Sequence, residues 1–402
     1  MVYGIPLEKM NQEQTQLGAL RRHRDRGRAL AAVISCVSIY GITISLFTPL
    51  LSLILESRAV SSTLIGGLAM MTPLGVILGS IFVPRYLQIF SGRRLLLIGI
   101  GFEIFLIILL LGMSDLASWF VIRFFMGVTG SVLFIVSDSW VAEITPDAIR
   151  GRVMGLYNTV LLFSFAVGPL ILTMTGTSGV LPFVWGILLM VLAALPLIFA
   201  DRYVPESSGN RSFNVFSFAR VAPLLVFGCV AVAFKEMLAA SLLPVYGMRS
   251  GLTESLATLM LFYGAIGGAA LQVPIGWMAD HYNRLWVMSS CGAFGVLGAA
   301  VLPFVVTIPW LLYIVVFLWT GCFSGIYTVV MTLAGQWFRG LELATAMAAL
   351  GVFLGLGGMA GPLVGGVAMD LWNPHGLPAV LLVMAVIFLV VSFWPRWHHP
   401  AR

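Results

Sequence analysis

The chain has 402 residues, of which 60% are hydrophobic and 9% are charged, and its mean hydropathy is +1.02. A water-soluble domain with so few polar side chains could not cover its own surface, so the composition excludes a soluble protein and indicates one that is surrounded by lipid. The formal net charge of +6 comes from arginines near the ends of apolar segments, which argues against nucleic acid as a partner.

Twelve segments are apolar over roughly 20 residues, the length that crosses a bilayer as a helix. They are continuously apolar and do not alternate, so they predict helices and exclude barrel strands. The expected fold is therefore an all-α integral membrane protein with 12 transmembrane helices. We place the spans at residues 29–55, 62–84, 93–113, 118–142, 153–173, 180–200, 220–246, 254–278, 285–306, 309–333, 343–369 and 377–394.

Basic residues are distributed unequally between the two sides of the predicted membrane. With the N-terminus inside, Arg58 and Arg249 are the only lysine or arginine residues in the outer turns. This positive-inside bias predicts that both termini are cytosolic and that the chain is a multi-pass protein of the bacterial inner (cytoplasmic) membrane. Residues 1–28 are predicted to be a polar cytosolic leader, because the apolar run that follows is too long for a signal-peptide core.

The chain is predicted to consist of two related halves. Residues 29–200 and 220–402 would each form six helices, and the polar stretch 201–219 would be a cytosolic linker. Glycines and prolines recur between the halves, in order, at offsets of 193 to 197 residues, which predicts a parallel repeat. The matched positions are Pro49 with Pro244, Gly79 with Gly276, Gly127 with Gly321, and Gly168-Pro169 with Gly361-Pro362.

Three motifs stand out in this repeat. They are Gly276-Trp-Met-Ala-Asp280-His-Tyr-Asn-Arg284 after span eight, Arg123-Phe-Phe-Met-Gly127 on span four, and Gly361-Pro362-Leu-Val-Gly365-Gly366 on span eleven. All three resemble motifs of the major facilitator superfamily, the last of them its antiporter motif. The loop after span two departs from the family pattern because it has no acid, and Gly168-Pro169 lacks the following glycine pair. The resemblance covers all twelve spans and implies the major facilitator fold, with two pseudo-symmetric six-helix halves.

The resemblance further implies that spans one, four, seven and ten line a central cavity and that spans two, five, eight and eleven form a rocking interface. For the helix-packing motif we expect Gly168, Pro169, Gly361, Pro362, Gly365 and Gly366. Candidates for the substrate cavity are Lys235, Tyr40, Ser38, Thr43, Asn158, Gln272, Tyr327 and Thr328. An alternative for the hydroxyl residues of span one is hydrogen bonding to their own helix, and an alternative for Lys235 is an ion pair with another helix, such as the one carrying Glu103.

Four ionisable residues inside the spans are candidates for proton coupling. Arg123 corresponds to an arginine that helps to move protons in the family, and its alternative is a packed arginine bonded to carbonyls. Asp138 lies about 22 Å further along the same helix and is either an inner proton acceptor or part of a gate. Glu236 adjoins Lys235, and because successive helix positions point about 100° apart, only one of them can face the cavity squarely. Glu103 lies on a supporting helix, which favours a structural role.

A cytosolic gate is predicted from charged residues at the inner ends of the spans. Acids that face arginines and the positive N-terminal ends of helices could hold the outward-facing state closed on the inside. The expected members are Asp280, Arg284, Glu143, Arg150 and Arg152.

These expectations describe a secondary active transporter, not an enzyme, that moves a small organic solute by alternating access. Proton coupling is expected, with a lean towards export by antiport. The alternatives are a lipid or lysolipid flippase on the same fold and a proton-coupled uptake symporter. No nucleotide-binding motif is present, and the four cysteines stand apart within spans, so we expect no cofactor and no metal. The expected partners are the substrate, protons and membrane lipid, with the protein acting as a monomer.

Overall fold

The computed structural model describes residues 7–145, 150–198, 215–339 and 341–394, and these stretches contain helices and no strand. The elements, in chain order, are α1 (Leu7–Ser57), α2 (Ser62–Ile89), α3 (Gly92–Gly112), α4 (Leu116–Ile144), α5 (Arg150–Thr175), α6 (Leu181–Ile198), α7 (Val215–Val221), α8 (Pro223–Arg249), α9 (Glu254–His281), α10 (Arg284–Val305), α11 (Pro309–Trp337), α12 (Leu341–Leu371) and α13 (Gly376–Ser392).

The described helices match the predicted pattern of membrane crossings. Eleven of them are long and apolar enough to cross a membrane, and Gly376–Ser392 is a shorter apolar helix. Two boundaries differ from the prediction. Helix α1 begins at Leu7 and so runs through most of the predicted leader. Span seven begins at Pro223, after the short helix α7, because proline suits the first turn of a new helix. Residues 199–214, which include most of the predicted linker, lie outside the described residues.

Polar side chains in the turns determine where several spans start. Ser61, Asp115 and Thr253 each accept a hydrogen bond from a backbone amide three residues further on, at the starts of α2, α4 and α9. Such N-caps satisfy amides that have no partner within the helix. The amide of Ser118 holds the pKa of the exposed Asp115 carboxyl below its usual range.

The two halves repeat helix by helix. Helices α2 and α9 begin at residues 62 and 254, 192 positions apart, and α4 and α11 begin at 116 and 309, 193 positions apart. A Cβ added at Gly75 would lie 2.0 Å from the carbonyl oxygen of Phe124, and one added at Gly267 would lie 2.1 Å from that of Phe317. Only glycine permits this approach, so the same close contact joins α2 to α4 and α9 to α11.

This register corrects two of the predicted pairings. Gly168 and Gly361 are 193 positions apart and agree with it, whereas Gly127 and Gly321, 194 apart, are displaced by one position from the offset of 193 between α4 and α11. Gly79 and Gly276 are 197 apart and are not equivalent. Their surroundings differ as well. A Cβ at Gly79 would lie 2.4 Å from the Ser131 hydroxyl, while one at Gly276 would meet its nearest neighbour at an ordinary 3.7 Å.

The halves meet along one end of the molecule and separate towards the other. We call the end that carries the turn between α1 and α2 the outer end, following the predicted orientation. On α12, a Cβ at Gly366 would lie 2.3 Å from the Ser62 carbonyl and one at Gly355 would lie 2.6 Å from Ile77, both on α2. One at Gly351, a turn further in, would meet nothing within 4 Å. The seam between α2 and α12 therefore ends near the middle of the spans. The space between the halves, which we call the cavity, opens towards the end that is predicted to be cytosolic, and we call this conformation inward-open.

Candidate functional site

The most distinctive polar group lies in the middle of α8. Lys235 is buried and its Nζ donates to Glu236 Oε1 at 2.5 Å and to Ser324 Oγ, on α11, at 2.9 Å. The Glu236 side chain is 49% exposed, against 3% for Lys235. Because 72% of the apolar core of α8 is buried inside the protein, an exposed side chain at its centre opens onto internal space. The Glu236 carboxylate therefore faces the cavity, and the Lys235 ammonium is buried behind it against α11.

This geometry answers the alternatives for the two neighbours on α8. Glu236, not Lys235, faces the cavity. In this conformation the Lys235 ammonium lies against α11, and its predicted contact with substrate stays a prediction. The proposed pairing with the helix of Glu103 is also absent, since the flexible lysine stem folds back to its sequence neighbour.

Helix α11 supplies a ladder of hydroxyl groups behind the pair. The single Ser324 hydroxyl proton is shared between Glu236 Oε1 and the Thr320 carbonyl, while Thr320 donates to the Gly264 carbonyl on α9 at 2.8 Å. Sequence reasoning missed Ser324 and Thr320 as site residues. The signal was their spacing, since polar residues four apart share one helix face. The next in that series, Thr328, donates to Gln272 Oε1, and both side chains are half-buried.

A second acidic position lies nearer the inner end of the cavity. Asp138 on α4 is exposed and accepts a hydrogen bond from the hydroxyl of Tyr157 on α5. It also lies within electrostatic range of Tyr327, a half-buried residue on α11 in the other half. Asn158, next to Tyr157, is exposed. Asp138 therefore faces the gap between the halves, where both of its predicted roles, proton acceptor and gate member, stay open.

The remaining coupling candidates are enclosed in the N-terminal half. Arg123 is 1% exposed and donates to Thr48 Oγ1 at 3.2 Å. Glu103 is fully buried and interacts electrostatically with Arg123 without direct contact. Within the described residues, neither carboxylate oxygen of Glu103 nor Nε and Nη1 of Arg123 has a hydrogen-bond partner. This acid and base are both enclosed in the helix bundle and are not exposed to the cavity.

Three predicted cavity residues on α1 do not line the cavity in this conformation. Tyr40 and Thr43 are fully buried and Ser38 is 7% exposed. The Tyr40 hydroxyl donates to the Met126 carbonyl on α4 at 3.3 Å, and Thr43 donates back to its own helix at the Ile39 carbonyl. Thr43 thus bonds to its own helix, as the alternative for span one proposed, whereas Tyr40 bonds to α4 and the buried Ser38 hydroxyl has no hydrogen-bond partner among the described residues.

Charged and polar contacts between the halves lie at the outer end, and we call them the outer clasp. Arg249 on α8 forms a two-pronged pair with Glu56 on α1, with Nε to Oε1 at 2.8 Å and Nη2 to Oε2 at 2.7 Å. Arg249 Nη1 also donates to Asn373 at 3.2 Å. Such bidentate pairs are directional and stronger than a single charge contact.

Two further carboxylates complete the outer clasp. Asp370 at the outer end of α12 accepts from the backbone amides of Ser62 and Thr63, each at 2.8 Å, and from the Thr63 hydroxyl at 2.6 Å. Its negative charge thus sits on the positive N-terminal end of α2. Glu254 on α9 accepts from the Thr177 amide, just after α5, at 2.7 Å.

The predicted inner gate is arranged differently. Asp280 and Arg284 pair within their own half at 3.9 Å, and the Asp280 side chain is 67% exposed. Glu143 is exposed. The side chains of Arg150 and Arg152 lie outside the described residues. In this inward-open conformation Asp280 is thus exposed and paired within its own half, and whether these residues close the other conformation stays a prediction.

The glycines of the antiporter-like motif lie on two faces of α12. A Cβ at Gly361 would lie 2.2 Å from the Phe234 carbonyl on α8, and one at Gly365 would lie 2.1 Å from Leu238, on the same helix. Gly366 faces α2 across the seam, and a Cβ at Gly66 would lie 2.0 Å from the Pro362 carbonyl. In the other half, Gly168, followed by Pro169, packs against α1, where an added Cβ would lie 2.2 Å from the Ser45 hydroxyl.

Comparison with known proteins identifies the fold. The family model described as Major Facilitator Superfamily matches residues 33–324 and 225–402. The chain belongs to the Major Facilitator Superfamily. Within its described part, no group of His, Cys, Asp and Glu side chains could hold a metal ion.

Relatives of this superfamily match most of the chain. The Bacillus subtilis (strain 168) protein named Uncharacterized MFS-type transporter YfkF is 25% identical over 383 residues, covering 90% of this chain and 93% of that protein. A Yersinia pestis (strain Pestoides F) MFS-type transporter is 26% identical over 285 residues, covering 69% and 72%.

Solved structures of transporters share the fold. A bacterial homologue of the human lysosomal transporter Spinster, inward-facing and unoccupied, has a TM-score of 0.71 at 13% identity, covering 92% of this chain and 95% of that chain. A mutant of the nucleoside transporter NupG has a TM-score of 0.72 at 12% identity, covering 92% and 98%. The chain is therefore a multi-pass membrane transporter of the superfamily fold.

Proposed function

We propose that this Major Facilitator Superfamily transporter exchanges protons for a small organic solute by alternating access, with export as the direction. The observation that carries the proposal is the placement of Glu236. A carboxylate at the middle of a membrane span is costly and marks an ion or substrate path. This one is 49% exposed at the closed end of an inward-open cavity, and it is held by Lys235.

The pair and its hydroxyl partner supply a simple exchange device. When ionised, Glu236 offsets the charge of Lys235, and the Ser324 hydroxyl donates to the same carboxylate oxygen that Lys235 contacts. A proton on that oxygen would remove the acceptor that both donors use, which loosens the pair. Proton and solute would then compete for one carboxylate, which is the logic of antiport. Asp138 would serve as the inner relay, since it is exposed further down the cavity.

The location of the protein and its energy source are also part of the proposal. We place the protein in the bacterial inner membrane with both termini in the cytosol, on the basis of the positive-inside bias. It would work as a monomer, driven by an ion gradient and without a bound cofactor.

The test is solute-dependent proton movement in proteoliposomes that hold the purified protein and a trapped pH dye. A panel of candidate solutes is added to the wild type and to Glu236→Gln, Asp138→Asn and Lys235→Ala. Glu342→Gln is the matched control, because Glu342 is an exposed acid at the inner start of α12, away from the pair.

We expect a solute to drive proton efflux or influx in the wild type and the control, and this flux to be lost in Glu236→Gln. Opposite movement of proton and solute supports antiport, whereas movement in the same direction would replace it with uptake symport. No proton flux with any solute, together with transfer of labelled lipid between leaflets, would overturn the proposal in favour of a flippase.

A further inference from the structure

The charged side chains inside the spans differ in what they present to the cavity. Away from the ends of the spans, the acidic and basic residues are Glu103, Arg123, Asp138, Lys235 and Glu236. Both bases are buried, and so is Glu103. The carboxylates of Asp138 and Glu236 are exposed. A solute in the cavity therefore meets two acids and neither of these bases.

The charge of only one of these two acids is already balanced. Lys235 Nζ lies 2.5 Å from Glu236 Oε1, so this pair is neutral as a whole. Asp138 has no basic partner within the described part of the chain, and its hydrogen bond comes from the neutral hydroxyl of Tyr157. An ionised carboxylate inside a span is costly and marks the path of an ion or substrate. The cavity thus carries one uncompensated negative charge, which matches a solute with a single positive charge.

The two carboxylates also have unused capacity to accept hydrogen bonds. Glu236 Oε1 accepts from both Lys235 and Ser324, and Asp138 Oδ1 accepts from Tyr157. The second oxygen of each acid, Oε2 of Glu236 and Oδ2 of Asp138, accepts no hydrogen bond from the described residues. Because an ionised carboxylate can only accept hydrogen bonds, a solute that fits these oxygens must bring the donors.

The same arrangement disfavours other classes of solute. An anion would lie near two carboxylates, and like charges repel strongly where water is scarce. The bases that could hold it, Arg123 and Lys235, would first have to leave their partners on α1 and α11. A quaternary ammonium ion would balance the charge, but without an N–H group it would leave both free oxygens without a donor.

We propose that the solute is an organic monocation with N–H donors, a protonated amine or a guanidinium compound, whose charge is balanced by Asp138 and whose N–H groups bond to the free carboxylate oxygens of the cavity. The inference rests on the transport function proposed above and names the class of its solute. Asp138 on α4 lies within electrostatic range of Tyr327 on α11, so a cation bound there lies between the two halves. A proton that neutralises the carboxylate removes its hold on the cation, which suits exchange of one for the other.

The solute class can be tested by binding, without any transport step. A ligand that binds the folded protein raises its unfolding midpoint, and this rise is titrated for the full-length purified protein at neutral pH, where alkylamines are charged. The probes are benzylamine, cyclohexylamine and hexylamine. Each is compared with the alcohol, the carboxylate and the trimethylammonium compound that carry the same hydrocarbon group, so that only the polar group changes within a set.

We expect amines to bind at least about tenfold more tightly than the matched alcohols, the effect of one charge-assisted hydrogen bond. The trimethylammonium compounds should bind more weakly than the amines, and the carboxylates should not bind. Asp138→Asn keeps an oxygen for the Tyr157 hydroxyl; it should weaken amine binding about tenfold and leave alcohol binding unchanged. Glu342→Gln is the matched control and should change neither, because Glu342 is an exposed acid at the inner start of α12.

Alcohols or carboxylates that bind as tightly as the amines would overturn the inference, as would three amines that all fail to raise the midpoint. An Asp138→Asn variant that keeps the wild-type preference for amines would also count against it. Proton flux is followed separately, with protein-free vesicles as the blank because uncharged amines cross bilayers unaided. An amine that binds with the expected preference but moves no protons would support the solute class and refute the proposed exchange. A neutral or anionic solute that drives protons would do the reverse.

Discussion

Replacing Glu236 with glutamine should destabilise the protein more than replacing Lys235. The change leaves the buried Lys235 ammonium with neutral acceptors only, which are the new amide oxygen at position 236, Ser324 Oγ at 2.9 Å and the Thr320 carbonyl at 3.4 Å. Removing one partner of a fully buried ion pair costs about 3–5 kcal/mol. Because water reaches the half-exposed Glu236, we expect a smaller cost than for a fully buried pair, about 2–3 kcal/mol for Glu236→Gln.

The reverse change should cost less. Lys235→Met removes the buried charge and leaves Glu236 at the cavity, where water can solvate it. The double variant Lys235→Met/Glu236→Gln leaves no charge at all and should regain most of the stability lost in Glu236→Gln. The coupling energy of this double-mutant cycle should be about 2 kcal/mol in favour of the pair.

The assay is thermal unfolding of the four proteins in detergent, at one scan rate because membrane proteins often unfold irreversibly. The order of midpoints should be wild type, then the double variant and Lys235→Met, then Glu236→Gln. If Glu236→Gln unfolded at the wild-type temperature, or if Lys235→Met were the least stable, the orientation of the pair deduced from burial would be wrong.

Two other predictions concern packing and coupling. Gly361→Ala places a Cβ 2.2 Å from the Phe234 carbonyl and should lower the unfolding midpoint through a cost of about 1–3 kcal/mol. In the control Gly351→Ala the added Cβ meets nothing within 4 Å. Its unfolding midpoint should equal or exceed that of the wild type, because alanine favours a helix over glycine by up to about 1 kcal/mol. Equal midpoints for the two variants would contradict the packing seen at Gly361. Asp138→Asn keeps an oxygen for the Tyr157 hydroxyl, so the unfolding midpoint should stay while solute-driven proton flux falls; unchanged flux would remove Asp138 from the relay.

Much of the fold was predictable because lipid imposes strong constraints on a sequence. A span must be about 20 apolar residues long and helical, so the positions of the apolar segments along the chain predict the order of the spanning helices, although not the short helix α7. The internal repeat was also detectable in the sequence, because Gly168 and Gly361 occupy equivalent helix contacts. The offset between halves was less accurate at Gly79 and Gly276, because proline and glycine are too common here for each match to be meaningful.

The candidate site was harder to predict because side-chain direction depends on neighbouring helices. Adjacent positions on α8 gave no way to decide between Lys235 and Glu236; the hydroxyl of Ser324, far along the chain, determines which of them is buried. The direction of the polar side chains on α1 was unpredictable for the same reason, because contact with α4 turns Tyr40 away from the cavity. The outer clasp was not predicted at all, because Arg249 meets Glu56 only when the halves come together.

The most direct test of coupled exchange is uphill transport. Proteoliposomes are prepared with equal concentrations, on both sides, of a solute that the dye assay has identified, and a pH gradient is then imposed. We expect the wild type to move the solute against its own growing gradient and into the proton-rich compartment, and Glu236→Gln to leave the concentrations equal. Solute that stays equal on both sides in the wild type would contradict the account, because the protein would then only equilibrate its substrate.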